Sequence, residues 1–590
     1  MVAASKRRKG ARQPSTRFSA LLALTGLVFA CGAAVESPAI EVATGLFPAG
    51  WSLHESVRAV EAAGGMVTSG HPLASQVGSD VLARGGNAID AAVAVGFALA
   101  VVLPEAGNIG GGGFLVYRDG EGGVHALDYR EKAPGNGHHD MYLDDEGNVT
   151  EASRVGHLAA GVPGSVAGMA AMHEKFGSLP WESLVAPAVD LAVGHVIDEV
   201  RAANLSGGRH LLARFETSAQ QFLIDGESPS AGQRWSQPEL ADTLRRIAKG
   251  GASEFYEGET ADLLVAEMER GGGLITIEDL AAYRAVWRDP VRVAYRDHVV
   301  WSMPPSSSGG VAMAMIFNIL EGFDVLPAFG SPDLVHLEAE AMRWAFIDRN
   351  QYLGDPDFVD MPLERLLSKG YAAELRGRVD PGSATPTPTF QIAPEGTSTT
   401  HYSVVGRDGR AASITTTINS FYGNGVTVAG AGFLLNNEMD DFAAKPGVPN
   451  QFGLVQGEAN AVAPHKRMLS SMSPAVVEDA AGELRMVVGT PGGSTIITSV
   501  FQVISNVLDH GMSLPEAVAA PRVHHQALPD VVFFEPGGLT QDAQDRLGEM
   551  GYVLRERQRT SGDIQAIMRT ESGWLGVPDP RRGGAAVGPD

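Results

Sequence analysis

The sequence predicts a mixed α/β fold in which helices alternate with pairs of antiparallel strands. The segment from 88 to 102 is apolar on nearly all sides and follows Asn87, a suitable N-cap, so it predicts a buried helix. Apolar and polar residues alternate on both sides of the turns DGEGG and GRDGR, which predicts two hairpins. The region from about 161 to 380 shows mostly helical, amphipathic spacing with clear stop signals.

Local signals place the individual elements in chain order. A first helix over 75–84 ends at Gly85-Gly86, because glycine favours helix termination, and the buried helix follows it. The strands of the first hairpin are FLVYR and VHALDYR. Prolines and small polar residues between 380 and 398 exclude regular structure there. Beyond them we expect the strands HYSVV and AASITTTIN, a strand AGFLLNNEMDDF that leads into a polar loop, the segments LSSMSPAVVED and LRMVVGTPGGST, and the helix IITSVFQVISNVLDHG.

The bulk composition is that of a globular protein with an acidic surface. The chain has 590 residues, of which 44% are hydrophobic and 19% are charged, so it is long enough to bury a large core. The formal net charge of −24 disfavours nucleic acid as a partner, because phosphate binding needs a basic surface. An acidic surface by itself indicates solubility and does not identify a ligand.

The first 30 residues differ from the rest of the chain and predict a secretory signal. They contain six basic residues and no acidic residue, and they end in the apolar run FSALLALTGLVFA. A basic head followed by a short apolar run is typical of signal peptides, and this run is too short for a convincing membrane span. We therefore expect an exported protein with a signal over 1–30 and a tether over 31–56.

Cys31 is the only cysteine in the chain, so disulfides within the chain are excluded. Its place at the end of the apolar run, in LVFACGAA, resembles the lipobox of bacterial lipoproteins, in which the cysteine is acylated. Acyl chains would anchor the protein in the cell envelope by hydrophobic insertion, and they would be its one link to a membrane. The alternative is a plain signal peptide cut near AAVES, which would leave the protein in the periplasm.

Several other motifs predict no site. The glycines of NIGGGGF lack the G-x-G-x-x-G spacing and follow a helix, which argues against a dinucleotide site. The segment GSVAG around Ser165 lacks the spacing of a serine nucleophile elbow. The pairs His138-His139 and His524-His525 have no matching ligand cluster nearby in the sequence, and adjacent residues point apart on regular elements. We expect neither a metal nor any other cofactor.

The junction PEGTSTTHYSVV carries a stronger chemical signal. A tract of Pro, Gly, Ser and Thr stops at Thr399, where a buried-looking strand begins. An N-terminal threonine can act as nucleophile and base together, because its free α-amine lies beside its hydroxyl. Such a residue arises inside a precursor only when the preceding peptide bond is cut. Taken alone, however, this stretch is better explained as an ordinary loop that enters a hairpin.

Polar residues far from this junction in the sequence favour a catalytic role for Thr399 over an ordinary loop. Thr415, Thr417 and Asn419 share one face of the second strand by the period-two rule, and a polar face on a strand needs partners or a ligand. The motif GTPGGS offers two glycine N–H groups to an oxyanion, and Arg130 can grip a carboxylate through two parallel hydrogen bonds. Further acidic and hydroxyl side chains come from NNEMDD and LSSMSP, namely Glu438, Asp440, Asp441, Ser470 and Ser471.

With these residues in view, the chain resembles the bacterial γ-glutamyltransferases (γ-glutamyltranspeptidases), which are N-terminal-nucleophile hydrolases. The resemblance runs from GHPLASQVG to GVPDPRR, and its motifs come in family order: NIGGGGF, DYRE, TTHYSVV, NNEMDDF, LSSMSP and GTPGGS. It implies an αββα four-layer sandwich. It also implies transfer of γ-glutamyl groups from glutathione and related compounds to water, amino acids or dipeptides.

The resemblance further implies that a precursor cuts itself between Ser398 and Thr399. The products would be a large subunit over 57–398, preceded by the leader and the tether, and a small subunit over 399–590, which stay together as a heterodimer. Thr399 would act as nucleophile twice. It would first attack the carbonyl carbon of Ser398 and later the γ-amide of glutathione, which gives a γ-glutamyl ester.

The family pattern also implies roles for the remaining polar residues. Thr417 would hydrogen-bond to Thr399 and help to position it, and Gly492 with Gly493 would form the oxyanion hole. Opposite charges at two ends of a pocket would suit a zwitterion. The residues implied for the α-carboxylate are Arg130, Ser470 and Ser471, and those implied for the α-ammonium are Asn419, Glu438 and Asp441.

The segment AAKPGVPNQFGLV, from 443 to 455, matches the lid that covers the glutamyl pocket in the family. Phe452 stands where a lid tyrosine is often found, so the aromatic cover is kept and its hydroxyl is lost. His401 is expected to be a packed strand residue with no catalytic role.

Two other functions stay open from the sequence. One is a family relative with a changed donor, such as a glutaryl-cephalosporin acylase or a polyglutamate-processing enzyme, although Arg130 with the acidic and serine residues favours an α-amino acid end. The other is a non-catalytic lipoprotein with a decayed site. That function predicts loss of Thr399, Arg130 or the glycine pair, and all of these are present.

Overall fold

Two seven-stranded antiparallel sheets form the centre of the computed structural model, which describes residues 45–387 and 399–590. In order of hydrogen-bonded neighbours, sheet I consists of β1 (Val60–Ala62), β18 (Trp574–Pro578), β17 (Gln565–Arg569), β13 (Leu484–Gly489), β12 (Ala475–Glu478), β9 (His298–Ser302) and β8 (Val291–Tyr295). Sheet II consists of β19 (Ala585–Val587), β2 (Gly65–Ser69), β10 (Thr400–Gly406), β11 (Ala411–Thr417), β3 (Gly112–Arg118), β4 (Val124–Tyr129) and β7 (Val286–Arg288).

The remaining elements are two small sheets and the helices. The small sheets pair β5 (His195–Val196) with β6 (Arg234–Trp235), and β15 (Val532–Phe534) with β14 (Val523–His524) and β16 (Leu554–Glu556). The helices up to residue 271 are α1 (Pro72–Ala83), α2 (Ala88–Val102), α3 (Ser165–Phe176), α4 (Trp181–Val193), α5 (Glu199–Leu212), α6 (Glu216–Phe222), α7 (Pro238–Gly250), α8 (Ala252–Glu257) and α9 (Glu259–Gly271). Those beyond are α10 (Ile277–Ala282), α11 (Gly309–Leu320), α12 (Pro332–Tyr352), α13 (Leu363–Leu366), α14 (Lys369–Arg376), α15 (Thr495–Leu508), α16 (Leu514–Ala519) and α17 (Gln541–Glu549).

Helices cover the outer face of each sheet, which produces four layers. On the outer side of sheet II, α2 packs against β10 and β11, and α1, α3 and α4 surround it. On the outer side of sheet I, α11 packs against β8 and α15 against β13, with α12 packed on α11. Between the sheets, β10 contacts β13 and β17. The αββα architecture implied by the sequence resemblance is therefore confirmed.

Helix α2 is the buried helix that the sequence predicts. The Asn87 side chain accepts hydrogen bonds from the backbone N–H groups of Ile89 and Asp90, and the Asp90 carboxylate accepts one from the N–H of Asn87. This capping box satisfies N–H groups that a helix terminus otherwise leaves unpaired. Every residue of α2 is buried, which explains why its apolar surface extends all the way round.

The hairpin of β10 and β11 separates two kinds of side chain. Residues of one parity, such as Tyr402 and Ile414, join the apolar core under α2. Residues of the other parity lie between the sheets, where His401 is hydrogen-bonded through Nδ1 to Thr415 Oγ1 at 2.9 Å and through Nε2 to Ser403 Oγ at 3.1 Å. Burial lowers the pKa of His401 to about 3, so it stays neutral as a packed strand residue.

One sequence prediction about the fold is wrong. The segment AGFLLNNEMDDF forms no strand; Leu434 makes an isolated bridge to Thr427, and a 3₁₀ turn over Glu438–Asp441 follows. The reason is local, because Asn436 Nδ2 donates to the carbonyls of Gly110 and Gly161 and ties this segment to neighbouring loops.

Trp51, ahead of β1, is packed against the body of the protein. Trp51, within the stretch predicted as a tether, is buried and donates its Nε1–H to the carbonyl of Ala519 at 2.9 Å. Within the described ranges, no helix has the length and apolar character needed to cross a membrane. The predicted signal peptide, Cys31 and Ser398 lie outside the described residues.

Candidate active site

Thr399 lies immediately before β10 and is largely buried, with 8% of its surface exposed. The register of the hairpin pairs Thr400 with Thr416, so the next residues outward, Thr399 and Thr417, meet on one face. Their Oγ1 atoms are 3.1 Å apart. Thr417 Oγ1 accepts the backbone N–H of Asn419 at 2.7 Å, which leaves its own hydrogen available for Thr399.

The backbone of Thr399 is strained. Its φ angle is 90°, in the left-handed half of conformational space that a β-branched residue seldom adopts. Such conformations cost on the order of 1–3 kcal/mol and persist only where the surrounding structure enforces them. The strain coincides with the peptide bond that the sequence resemblance marks for cleavage.

Arg130 lies just past β4 and is almost completely buried among carboxylates. Its Nη1 pairs with Glu438 and its Nη2 with Asp441, while its Nε donates to the carbonyl of Met468 at 3.2 Å. A third carboxylate, that of Glu131, lies 3.6 Å from Nη1. One guanidinium therefore faces three carboxyl groups, and those of Glu131 and Glu438 are buried.

This crowding governs the ionisation of the cluster. Burial raises the pKa of Glu438 and of Asp441, although Arg130 opposes that effect on both. Burial also raises the pKa of Glu131 to about 7, and neither of its carboxylate oxygens is hydrogen-bonded to another residue of the described chain. Burial disfavours the charge of Arg130, but Glu438 and Asp441 more than compensate and hold it protonated.

A second buried arginine, Arg349 of α12, reaches the same place. Its Nη2 donates to Ser471 Oγ at 3.4 Å, its Nη1 to Gln456 Oε1 at 2.8 Å and its Nε to Ser308 Oγ at 3.2 Å. Within the described residues it forms no ion pair, and burial lowers its pKa to about 10. Its neutral partners leave a buried positive charge without a direct counter-ion.

The two glycines of GTPGGS form the turn into α15. Gly492 and Gly493 have φ angles of 141° and 59°, which favour glycine, and neither N–H donates to an acceptor in the described part of the chain. Phe452 lies against Gly493, since a Cβ added there would come within 2.6 Å of Phe452 Cδ1. The free N–H groups are suited to an oxyanion, and the segment from 443 to 455 covers them.

These side chains enclose one small cavity of about 20 Å³. Such a volume holds roughly one water molecule and is smaller than a glutamyl group. Arg349 and Phe452 line the cavity together with nine of the residues that the sequence singled out, namely Arg130, Thr399, Thr417, Asn419, Glu438, Asp441, Ser470, Ser471 and Gly493.

Comparison with known proteins identifies the family. The sequence model for γ-glutamyltranspeptidase matches residues 74–588. The chain belongs to the γ-glutamyltranspeptidase family. It is 45% identical over 569 residues to the glutathione hydrolase proenzyme of Escherichia coli strain K12, an alignment that covers 95% of this chain and 96% of that protein.

The chain is also similar to acylases. The acylase ACY 1 proenzyme of Pseudomonas sp. strain SE83 is 38% identical over 520 residues, which is 87% of this chain and 91% of that protein. The structure of the cephalosporin acylase from Bacillus halodurans superimposes with a TM-score of 0.81 at 28% identity, and it covers 90% of this chain and 97% of that one.

Some candidate residues lie outside the cavity. Asp440 points away and accepts hydrogen bonds from Ser153 Oγ at 2.7 Å and from the N–H of Gln451 at 3.2 Å, so it fixes the covering segment. Gly492 does not line the cavity, although its neighbour Gly493 does. Thr415 faces His401 between the sheets, so the polar strand face that the sequence predicts is divided between two environments.

The histidine pairs have separate protein partners. His139 contacts Asp140, His524 contacts Thr498 and Gln526, and His525 contacts Asp530. The described residues contain no group of three or more side chains arranged to hold a metal ion.

Sequence reasoning missed Glu131 and Arg349. Glu131 carried a signal, because it stands in the DYRE motif directly after Arg130. Arg349 carried almost none, since it belongs to a long helix whose charged residues are expected to be solvated. Only the structure shows that each of these charged side chains is buried beside the cavity.

Replacing Glu131 tests the crowding of carboxylates. With a folded pKa of about 7 against an ordinary value of 4.5, Glu131 keeps a proton that the unfolded chain loses between these pH values, so it makes the protein less stable as the pH rises. Gln cannot titrate. The free energy of unfolding of Glu131→Gln minus that of the wild type should therefore grow by about 3 kcal/mol between pH 4 and pH 8.

Urea unfolding at several pH values measures this difference. Glu146→Gln, at an exposed position, is the matched control and should show a small difference at every pH. A difference in unfolding free energy between Glu131→Gln and the wild type that does not vary with pH would contradict the raised pKa of Glu131.

Proposed function

We propose that this protein is a self-processing γ-glutamyltransferase and glutathione hydrolase whose nucleophile is Thr399. The observation that carries the proposal is the position of Thr399, 3.1 Å from the Thr417 hydroxyl on the wall of a cavity that contains buried charges of both signs. The similarity to a glutathione hydrolase proenzyme over 95% of the chain supports the choice of donor.

Processing takes place at the bond between Ser398 and Thr399. Thr399 Oγ1 attacks the carbonyl carbon of Ser398, the C–N bond breaks, and an ester with a free α-amine on Thr399 results. Water then hydrolyses the ester and separates a large subunit ending at 398 from a small subunit over 399–590. The left-handed φ of Thr399 supports this site, because cleavage removes the peptide unit that imposes the strain.

The freed α-amine then serves as the base for the next reaction. It takes the proton from Thr399 Oγ1, which attacks the γ-carbonyl of glutathione while Thr417 holds the hydroxyl in place. The N–H groups of Gly492 and Gly493 stabilise the negative charge on the former carbonyl oxygen. The departing amine takes up the proton, and a γ-glutamyl ester stays on Thr399 until water or another amine attacks it.

The donor is held by an exchange of charge partners. In the free site Arg130 is paired with Glu438 and Asp441. An entering α-amino acid end brings its own carboxylate to Arg130 and the two serines, Ser470 and Ser471, and its ammonium to the two acids, with Asn419 alongside. Every buried charge then keeps an opposite neighbour, which matters because an unpaired buried charge is costly.

The two subunits stay together as a heterodimer because their strands are interleaved. In sheet II, β10 and β11 of the small subunit lie between β2 and β3 of the large one. In sheet I, four strands of the small subunit lie between β1 and β9 of the large one. The backbone hydrogen bonds at these borders survive the cut.

Replacement of Thr399 tests processing and catalysis together. The wild type should separate into two bands on a denaturing gel, whereas Thr399→Ala should remain one inactive chain because it lacks the attacking hydroxyl. The measurement is the gel combined with release of nitroaniline from a γ-glutamyl anilide. Thr397→Ala changes another threonine of the same tract and should be cut like the wild type. A cleaved Thr399→Ala chain, or a fully active uncut wild type, would refute the proposal.

The second candidate function is a glutaryl acylase, which the similarity to acylases of the family favours. A glutaryl group lacks the α-ammonium, so Glu438 and Asp441 would then gain no partner from the substrate. We expect the wild type to cleave a γ-glutamyl anilide faster than the glutaryl anilide. Asp441→Asn should lower kcat/KM for the γ-glutamyl anilide by at least about tenfold and affect the glutaryl anilide less.

Initial rates on both anilides decide between the two donors. Asp145→Asn, at an exposed position, is the control and should leave both rates near those of the wild type. Faster cleavage of the glutaryl anilide by the wild type would contradict the glutathione hydrolase assignment and favour the acylase.

The protein is also proposed to be exported and anchored by an acylated Cys31. The basic head and apolar run before Cys31 support this location. In cell fractionation the wild type should sediment with membranes through high-salt washing, because acyl chains hold by hydrophobic insertion. Cys31→Ser should appear in the soluble fraction. A wild type that is already soluble would favour the plain signal peptide.

A further inference from the structure

A buried arginine of α12 lies at the small cavity without a counter-ion in contact with it. Arg349 lines that cavity and is only 1% exposed. Within the described ranges its guanidinium donates to neutral side chains, namely Ser308, Asn350, Gln456 and Ser471. A buried cation of this kind is costly, because it has lost its contact with water and no opposite charge replaces that contact. An anionic ligand in the cavity would offset the cost.

The carboxylates that line the cavity are in contact with the other arginine. Glu438 and Asp441 both pair with Arg130. Asp441 also attracts Arg349, although its carboxylate is in contact with Arg130. Burial lowers the pKa of Arg349 to about 10, whereas the surrounding carboxylates raise the pKa of Arg130. Arg130 therefore has ample negative charge around it, and Arg349 has too little.

The contact between Arg349 and Ser471 determines where the serine hydroxyl can point. A guanidinium only donates hydrogen bonds, so Ser471 Oγ accepts from Nη2 of Arg349 at 3.4 Å. Ser471 itself lines the cavity, and its Oγ bonds to no other residue of the described chain. The hydroxyl hydrogen of Ser471 is therefore available to an acceptor inside the cavity.

Arg349 also supports the serine that precedes Ser471. Its Nε donates to Ser308 Oγ at 3.2 Å, and Ser308 Oγ donates in turn to the carbonyl of Ser470 at 2.6 Å. Ser470 Oγ accepts the backbone N–H of Met472 at 3.1 Å, which leaves its own hydrogen available as well. One guanidinium thus holds in place two hydroxyl groups that can donate to the same anion.

We propose that Arg349 is a further specificity-determining residue, which selects donors that carry a carboxylate on the α-carbon. The inference rests on the proposed γ-glutamyl transfer and adds a residue to it. The α-carboxylate accepts hydrogen bonds from Ser470 and Ser471, and Arg349 supplies a positive charge that no carboxylate in contact with it neutralises. A donor without this carboxylate leaves Arg349 unpaired and gains no attraction from it.

Two donors that differ by one charge test the proposal. One is the γ-glutamyl anilide, and the other is the same anilide with its α-carboxylate converted to a carboxamide. The wild type should prefer the first about a hundredfold in kcat/KM, and Arg349→Gln should lower this preference about tenfold, as expected for loss of one charged contact. The change should fall mainly on KM, because the contact is made equally in the bound donor and in the transition state. Arg349→Lys, which keeps the charge, should recover most of the preference.

Two further variants separate donor selection from a role in the fold. Arg349→Met removes the charge with an apolar side chain of similar length, a change that buried sites often tolerate, and it should match Arg349→Gln. Arg343→Gln is the matched control, since Arg343 is a buried arginine of the same helix that pairs with Glu340 and Asp530 outside the cavity. It should keep the wild-type preference even if it lowers the unfolding temperature. A denaturing gel should show that all variants are cut, because self-cleavage involves no donor.

Three results would overturn the inference. The first is a wild-type preference in both Arg349→Gln and Arg349→Met, and the second is an equal fall in kcat/KM for the two donors, which a purely structural role predicts. The third is failure of both variants to form the two subunits, which would assign Arg349 to the fold. Failure of the wild type to release nitroaniline from either donor would instead refute the proposed function, so the two failures are distinguishable.

Discussion

The pairing of β10 with β11 in the middle of sheet II is the constraint on which the site depends. This register brings the hydroxyls of Thr399 and Thr417 to 3.1 Å, just beyond the last paired residues. The alternation of strand side chains then sends Tyr402 and Ile414 under α2, and sends Thr399 toward the space between the sheets. A slip of one residue would exchange the two faces and bury Thr399 beneath a helix. The capped, wholly buried α2 opposes such a slip, because it needs the apolar face of the hairpin.

The chemistry of the glutamyl pocket follows from burial of more charge than the protein itself neutralises. Arg130 is surrounded by Glu438, Asp441 and Glu131, whereas Arg349 has neutral partners. Such an arrangement costs stability in the free protein. In the proposed binding mode a zwitterion would improve it at both ends, since its ammonium would approach the acids and its carboxylate would approach Arg130. Hydrophobic replacements would make a more stable core and would bind no amino acid, which gives a physical reason for retaining the charges.

How much the sequence could predict depended on whether a feature was local. The cap at Asn87, the helix after it and both hairpins rest on neighbouring residues, and the structure contains them. The pocket residues stood in recognisable motifs, so their convergence could be expected. The strand proposed around Leu434 was wrong because Asn436 bonds to two loops more than 250 residues away in sequence. Arg349 could not have been found, since nothing near it in the sequence distinguishes a buried charge from a solvated one.

Cleavage before Thr399 is compatible with this fold because of where the bond lies. β10 begins at Thr400, so the cut removes no ladder hydrogen bond from either sheet, and each sheet keeps strands from both sides of the junction. A second cavity beside Thr399, of about 380 Å³, is likewise built from both sides, with Glu105 and Arg201 before the cut and Thr400, Asp563 and Arg582 after it. The α-amine that the proposed cleavage would create therefore lies between two cavities, and the cut would leave their walls in place. Thr399 lines both cavities, so under the proposed cleavage it would remain accessible from either one.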